Sequence, residues 1–135
     1  MQLAMNLASC SLFEGLSKKE LKAIAADMTE VTHPAGKKLI VLGTEGVGFH
    51  IILEGEADAI TPDGRTHRMK AGDHFGEMAI LDHRGRSADV VTITDLKAAA
   101  IPAWGFEAFL AAHPKVAYRM LQTMSQRLKE ERTAH

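Results

Sequence analysis

Apolar positions change their spacing twice along this chain. Near the N-terminus Leu21, Ile24, Ala25 and Met28 recur at intervals that line one face of an α-helix. Ser17 followed by Glu20 reads as a capping box opening that helix, with Leu16 and Leu21 placed as a hydrophobic staple. Past Pro34–Gly36 the helical spacing stops. Short, often β-branched runs follow at Lys38–Leu42, Phe49–Leu53, Ala57–Ile60, Thr66–Met69, Val90–Thr94 and Ala98–Ile101. Gly46-Val47-Gly48, Gly55, Asp63-Gly64 and Gly72-Asp73 punctuate them. Asp63-Gly64 predicts a tight hairpin, because that pair tolerates positive φ angles. Trp104–Ala111 restores a helical pattern. Pro114 then suits the first position of a last helix, along which Ala117, Met120, Leu121, Met124 and Leu128 form a stripe running into the charged Lys129–Arg132.

Several short strands at this spacing predict a barrel, roll or sandwich, and the helices at both ends make the class α+β. We expect one domain over 1–135, with N-terminal helices in 1–30, a β-roll in 31–102 and C-terminal helices in 103–135. Neither an internal repeat nor a low-complexity segment interrupts it.

Composition narrows the classes. Of 135 residues, 46% are hydrophobic and 24% charged, the balance of a globular core with a polar surface. A net charge of -1 gives no electrostatic reason to expect nucleic acid or an anionic membrane. No apolar run approaches the roughly 20 residues of a membrane-spanning helix, and the N-terminus lacks the pattern of a signal peptide. The single cysteine, Cys10, cannot form an intrachain disulfide, which suits a reducing cytoplasm; it reads as a small buried residue.

One stretch breaks the strand pattern: His74-Phe75-Gly76-Glu77-Met78-Ala79-Ile80-Leu81, continuing through Arg86-Ser87-Ala88. Gly76 to Leu81 predicts a short helix between two strands, and free N–H groups at its start would favour an anion. Gly76 would let a ligand approach the backbone closely. Arg86 could close over the same anion with its guanidinium fork. Glu77 is an acceptor and suits a hydroxyl pair such as that of a ribose. Anion donors beside a hydroxyl acceptor describe a sugar phosphate.

With these residues the chain resembles the cyclic-nucleotide-binding domain family, which includes the catabolite activator protein, protein kinase A regulatory subunits and cyclic-nucleotide-gated channels. The resemblance runs from Leu12-Phe13-Glu14-Gly15-Leu16-Ser17 to Arg127-Leu128, through Gly36, Gly43, Phe49–Gly55 and Gly72-Asp73, and centres on a phosphate-binding cassette over 75–88. It implies an antiparallel β-roll of the double-stranded β-helix, jelly-roll-like kind, closed by a C-terminal lid helix. It implies a ligand-binding set of Phe75, Gly76, Glu77, Met78, Ala79, Arg86, Ser87 and Ala88. In that set Arg86 grips the cyclic phosphate, Glu77 accepts from the ribose 2′-OH, and Ser87 lies near phosphate and purine. Gly85 stands where the family commonly has proline, Asp89 where it has a small hydroxyl residue, and Thr44 and His50 where it has an acid and a tyrosine. A threonine after the cassette arginine often accompanies cGMP preference in the family; Ser87 in that place points to cAMP, with cGMP as the alternative.

The resemblance thus implies a cytoplasmic sensor and no enzyme, with no metal and no cofactor besides the nucleotide. A helix-turn-helix does not follow Arg127-Leu128 here, so direct DNA binding is not expected and the effector is another protein or domain. The C-terminal helix offers a homodimer surface. Two other readings compete. A ligand-free interaction domain would use the same fold as a docking surface. A cupin-like metal enzyme would need clustered histidines, but His67, His74 and His83 form no His-x-His pattern. No Gly-x-Ser-x-Gly elbow is present.

Overall fold

The computed structural model describes residues 2–40, 48–81 and 89–133. Helix α1 (Gln2–Leu7), a 3-10 turn (Ser11–Phe13) and α2 (Lys18–Ala26) precede the strands. Ser17 caps α2 as expected: its hydroxyl accepts from the Glu20 N–H, and the Glu20 carboxylate accepts from the Ser17 N–H. Leu16 and Leu21 both pack into the same apolar cluster.

The strands are β1 (Thr29–His33), β2 (Lys38–Ile40), β3 (Phe49–Glu54), β4 (Ala57–Ile60), β5 (Thr66–Met69), β6 (His74–Phe75), β7 (Asp89–Thr92) and β8 (Leu96–Ile101). They form two antiparallel four-stranded sheets, one in the order β1-β8-β3-β6 and the other β2-β7-β4-β5. Two expected strands match to the residue, β4 and β5. The hairpin between them is wider than a two-residue turn: Thr61 to Arg65 lie outside the strands, and Gly64 alone takes a positive φ, at 88°. The loop closes by Thr61 N–H donating to the Arg65 carbonyl and Gly64 N–H to the Thr61 carbonyl.

Alternation across the pleat assigns the first sheet two buried faces. Phe49 and Ile51 of β3, with Ala99 and Ile101 of β8, join the helices in one core. Ile52, Leu96 and Ala98 point the other way and meet Leu39, Ala57, Met69 and Val90 of the second sheet. The same rule splits β6. Phe75 enters the core between the sheets, whereas His74 turns toward the helices, its ring 5.9 Å from that of Phe49.

After β8 come a 3-10 turn (Ala103–Gly105), α4 (Phe106–Ala112) and α5 (Pro114–Thr133). Pro114 begins α5, where its missing N–H costs nothing. The expected single stripe on α5 divides into two. Val116 and Met120 are buried with Met124 partly so against the helical core, while Tyr118, Leu121 and Leu128 are exposed on another face. The reason is angular: Leu121 and Leu128 sit about 100° round the helix from Met120 and too far from Val116 to share its contact.

Candidate ligand-binding site

Gly76 links β6 to α3 (Glu77–Leu81), the short helix expected there. Its φ is 101°, and a Cβ at this position would lie 2.0 Å from the Gly48 carbonyl oxygen. The structure therefore assigns the missing side chain a packing reason: the turn lies directly against the strand entering β3. A side chain here would push the cassette off the first sheet.

That turn carries Glu77 inward. The residue is only 2% exposed, unusual for a carboxylate, and such burial is tolerated when charge partners compensate. Two basic groups approach its Oε1. His74 Nδ1 lies 3.0 Å away, from three residues back across the Gly76 turn. Arg127 Nη1 lies 3.7 Å away, from the distal half of α5. The His74 contact is close but misaligned for a hydrogen bond. His74 Nδ1 and Glu77 Oε2 are thus both buried without a hydrogen-bond partner among the described residues. Burial pushes the Glu77 carboxyl upward, but His74 first, then its own backbone N–H and Arg127, outweigh it and hold the group below the ordinary range. Among the described residues the site therefore presents an ionised carboxylate whose buried Oε2 accepts no hydrogen bond. A hydroxyl donor satisfies that geometry; an anion does not.

Other features sit around it. Phe75 is buried, and its ring stacks on His50 at 4.9 Å with 5° between planes. His50 Nδ1 lies 3.1 Å from the Gly48 carbonyl, so His50, Gly48, Phe75 and Gly76 form one packed unit. Met78 and Ala79 lie in α3. The expected Arg86, Ser87 and Ala88, with His83, Gly85 and Thr44, lie outside the described residues. Asp89 opens β7 and pairs in register with Ile60. Cys10 is buried, and desolvation is the main reason its thiol is pushed up to about 11, the opposite of a reactive thiolate.

Among the described residues no group of three or more His, Cys, Asp or Glu side chains is placed to hold a metal ion. His67 sits exposed on β5, in the other sheet from the buried His74. No helix among these residues is long and apolar enough to cross a membrane.

Sequence reasoning missed the partners of Glu77. Arg127 marked the end of the resemblance; the structure brings it to the carboxylate. His74 read as one more histidine, and only the positive φ at Gly76 folds its ring back onto the acid.

Comparison with known proteins places this geometry in a family context. The profile described as the cyclic nucleotide-binding domain matches residues 30–113, well over half of the chain. The chain is 36% identical over 106 residues to a cAMP-dependent protein kinase regulatory subunit of Aspergillus niger, covering 77% of this chain and 26% of that protein. It is 34% identical over 125 residues to Glutaminase 1 of Bradyrhizobium diazoefficiens, covering 92% of this chain and 20% of that one. In three dimensions it resembles the Thermus thermophilus catabolite activator protein, with a TM-score of 0.81 at 26% identity over 92% of this chain and 61% of the other. The chain thus spans 26% and 20% of the length of these two curated relatives.

Proposed function

The chain belongs to the cyclic nucleotide-binding domain family, and we propose that within it this domain is a cytoplasmic cAMP sensor that catalyses nothing. The observation that carries the reading is Glu77: a buried, ionised carboxylate with an oxygen unpartnered among the described residues, held on the turn between β6 and α3. Its role is to accept the ribose 2′-OH. Arg86 supplies the charge-assisted pair for the cyclic phosphate, Ser87 and Ala88 line the phosphate side, and Phe75, Gly76, Met78 and Ala79 form the cassette's framework. Regulatory relatives support this: the A. niger protein is named for cAMP dependence. The glutaminase matches only as a fifth of its length, consistent with this module accompanying an enzyme and not performing its reaction. No metal enters this reading.

Output passes through α5. Its inner face is anchored by Val116 and Met120, and Arg127 at its far end touches the ligand-binding acid. A hydroxyl reaching Glu77 competes with Arg127 for the same carboxylate and so alters what holds the distal turns. The exposed Leu128 gives that movement an apolar surface on which a second copy or an effector domain can read it.

One observation favours the alternative, a docking domain that binds no nucleotide. His74 and Arg127 already lie against Glu77 Oε1, as in a purely structural polar cluster. Calorimetric titration with cAMP, cGMP and AMP decides between them. We expect saturable cAMP binding tighter than cGMP, and at least tenfold tighter than AMP. Heat changes indistinguishable from buffer for all three would establish the docking reading.

A further inference from the structure

Glu77 does not stand alone as a hydroxyl acceptor, and its nearest basic neighbour is no accident of a surface. The His74 side chain is 6% exposed and that of Glu77 3%, whereas that of Arg127 is 54% exposed. Water screens the Arg127 contact and hardly reaches the His74 contact, so at 3.0 Å the imidazole is the stronger influence on the carboxylate. His74 is itself fixed. It belongs to β6, which pairs with β3 through His50↔Phe75 and Ile51↔His74, and its ring lies against Phe49 in the helical core. Position 74 thus ties the acid to the rigid first sheet, while Arg127 ties it to α5.

We propose that His74 is a positioning residue for hydroxyl recognition: by holding one carboxylate oxygen of Glu77, it leaves the other oriented for a ribose 2′-OH. This rests on the cyclic-nucleotide reading of the site. His74 touches no ligand and acts only through Glu77. It sets how strongly a ribonucleotide is preferred over its 2′-deoxy counterpart, and contributes little to binding of the phosphate or base. Among the described residues, the titratable neighbours of Glu77 besides His74 and Arg127 are Cys10, just ahead of the 3-10 turn, and, through that thiol, Asp73. None of these lies in β6 on the ring's side of the acid.

Two measurements on the full chain test this. The first is calorimetric affinity for cAMP and 2′-deoxy-cAMP in wild type, His74→Phe and His74→Asn. His74→Phe keeps a flat ring against Phe49 and removes the polar edge; His74→Asn keeps a nitrogen near the Nδ1 position. A hydrogen bond to a charged group predicts that wild type prefers cAMP by roughly 10- to 150-fold. The preference should fall below about one-third of the wild-type ratio in His74→Phe, with 2′-deoxy-cAMP affinity little changed, and should return in His74→Asn. An unchanged ratio in a folded His74→Phe overturns the proposal. The second measurement needs no ligand: carbon-13 NMR titration of the Glu77 carboxyl. It should move to higher pH in His74→Phe; no movement overturns the positioning role. A chain that binds neither nucleotide yet shows the shifted titration refutes the sensor reading and keeps His74 as the residue that positions Glu77. If His74→Phe does not fold, His74→Gln replaces it in both measurements.

Discussion

His113 Nε2 lies 2.7 Å from Asp27 Oδ2, joining the α4–α5 junction to the residue that ends α2, 86 positions earlier. Two further contacts continue the line. Lys115 Nζ lies 2.7 Å from Glu20 Oε2, and Arg119 donates to the Glu14 carbonyl at 3.3 Å. Each pair is partly solvated and worth little alone. Together with buried Val116 and Met120 they fix the first two turns of α5 to the N-terminal helices. Beyond Met124 the described side chains of α5 are exposed, and Arg127 reaches back to Glu77.

The division of α5 into two faces has a direct consequence for stability. Met120 is 3% exposed and Leu121 is 65% exposed, although they are neighbours. Met120→Ala should cost about 2–5 kcal/mol by transfer and cavity terms. Leu121→Ala should stay within about 0.5 kcal/mol. Urea unfolding of the two variants measures both; equal costs would mean that α5 packs on another face in solution.

The Gly76 turn should be intolerant of any side chain. Placing Cβ there combines a strained φ, costing about 1–3 kcal/mol, with a collision against backbone that cannot yield like a flexible side chain. We expect Gly76→Ala to lower the unfolding midpoint and to weaken nucleotide binding together. Gly64→Ala, whose Cβ meets nothing, should pay only the conformational part and leave binding unchanged. Full binding by Gly76→Ala would show that the cassette does not depend on this close approach.

Acid should destabilise the domain partly through His50. Burial is the main cause that brings its pKa from 6.5 down to about 4; neighbouring His33 adds to this and the Gly48 carbonyl opposes it. Between those values the unfolded chain holds more protons than the folded one, so stability falls as pH falls from 6.5 toward 4. The full effect is about 3 kcal/mol. His50→Phe keeps the stack on Phe75 and removes the titration. Its unfolding free energy should lose roughly 2–3 kcal/mol less than wild type between pH 7 and 4.5. His33, also lowered by burial and by Lys37, leaves a smaller slope in both proteins.

Arg86→Ala tests the anion half of the site independently of Glu77. Losing a charge-assisted bidentate contact should weaken cAMP binding by roughly 10- to 150-fold without changing the unfolding midpoint. Unaltered affinity would remove Arg86 from the site.

How far the sequence revealed this arrangement depends on the range of the interaction. The runs that became β4 and β5 are short and flanked by Gly55, Asp63-Gly64 and Gly72-Asp73, so their bounds were legible. β1 was not: in Thr29–His33 only Val31 packs into a core, and polar neighbours hide a strand defined by pairing with β8. β6 is two residues long, too short for any period. In the candidate site, Glu77 stood out because its neighbours carry a recognisable pattern, and the structure buries it. Its partners did not stand out. The His74 contact depends on a backbone reversal at Gly76, and the Arg127 contact on where a helix 50 residues later comes to rest. The stripe on α5 was legible as apolar, but which half is covered is decided by α2 and the 3-10 turn.

The same geometry sharpens what a nucleotide should do to α5. Were the whole helix a lid, ligand would protect it uniformly over residues 116–128. Val116 and Met120 are already buried, and their turns are pinned through Lys115 and Arg119, so their amides should be protected with or without nucleotide. Beyond Met124 the exposed Arg127 pairs with Glu77, the proposed ribose acceptor. A ligand shifts this segment only by binding one of its positions better than the other. Hydrogen exchange should therefore change on cAMP addition in residues 124–130 and remain constant in 115–121. Arg127→Gln should loosen the distal turns in the absence of nucleotide and shrink the ligand-dependent difference. Uniform change along α5 would restore the whole-helix lid, and no change anywhere in it would force the signal to leave through α1 and α2.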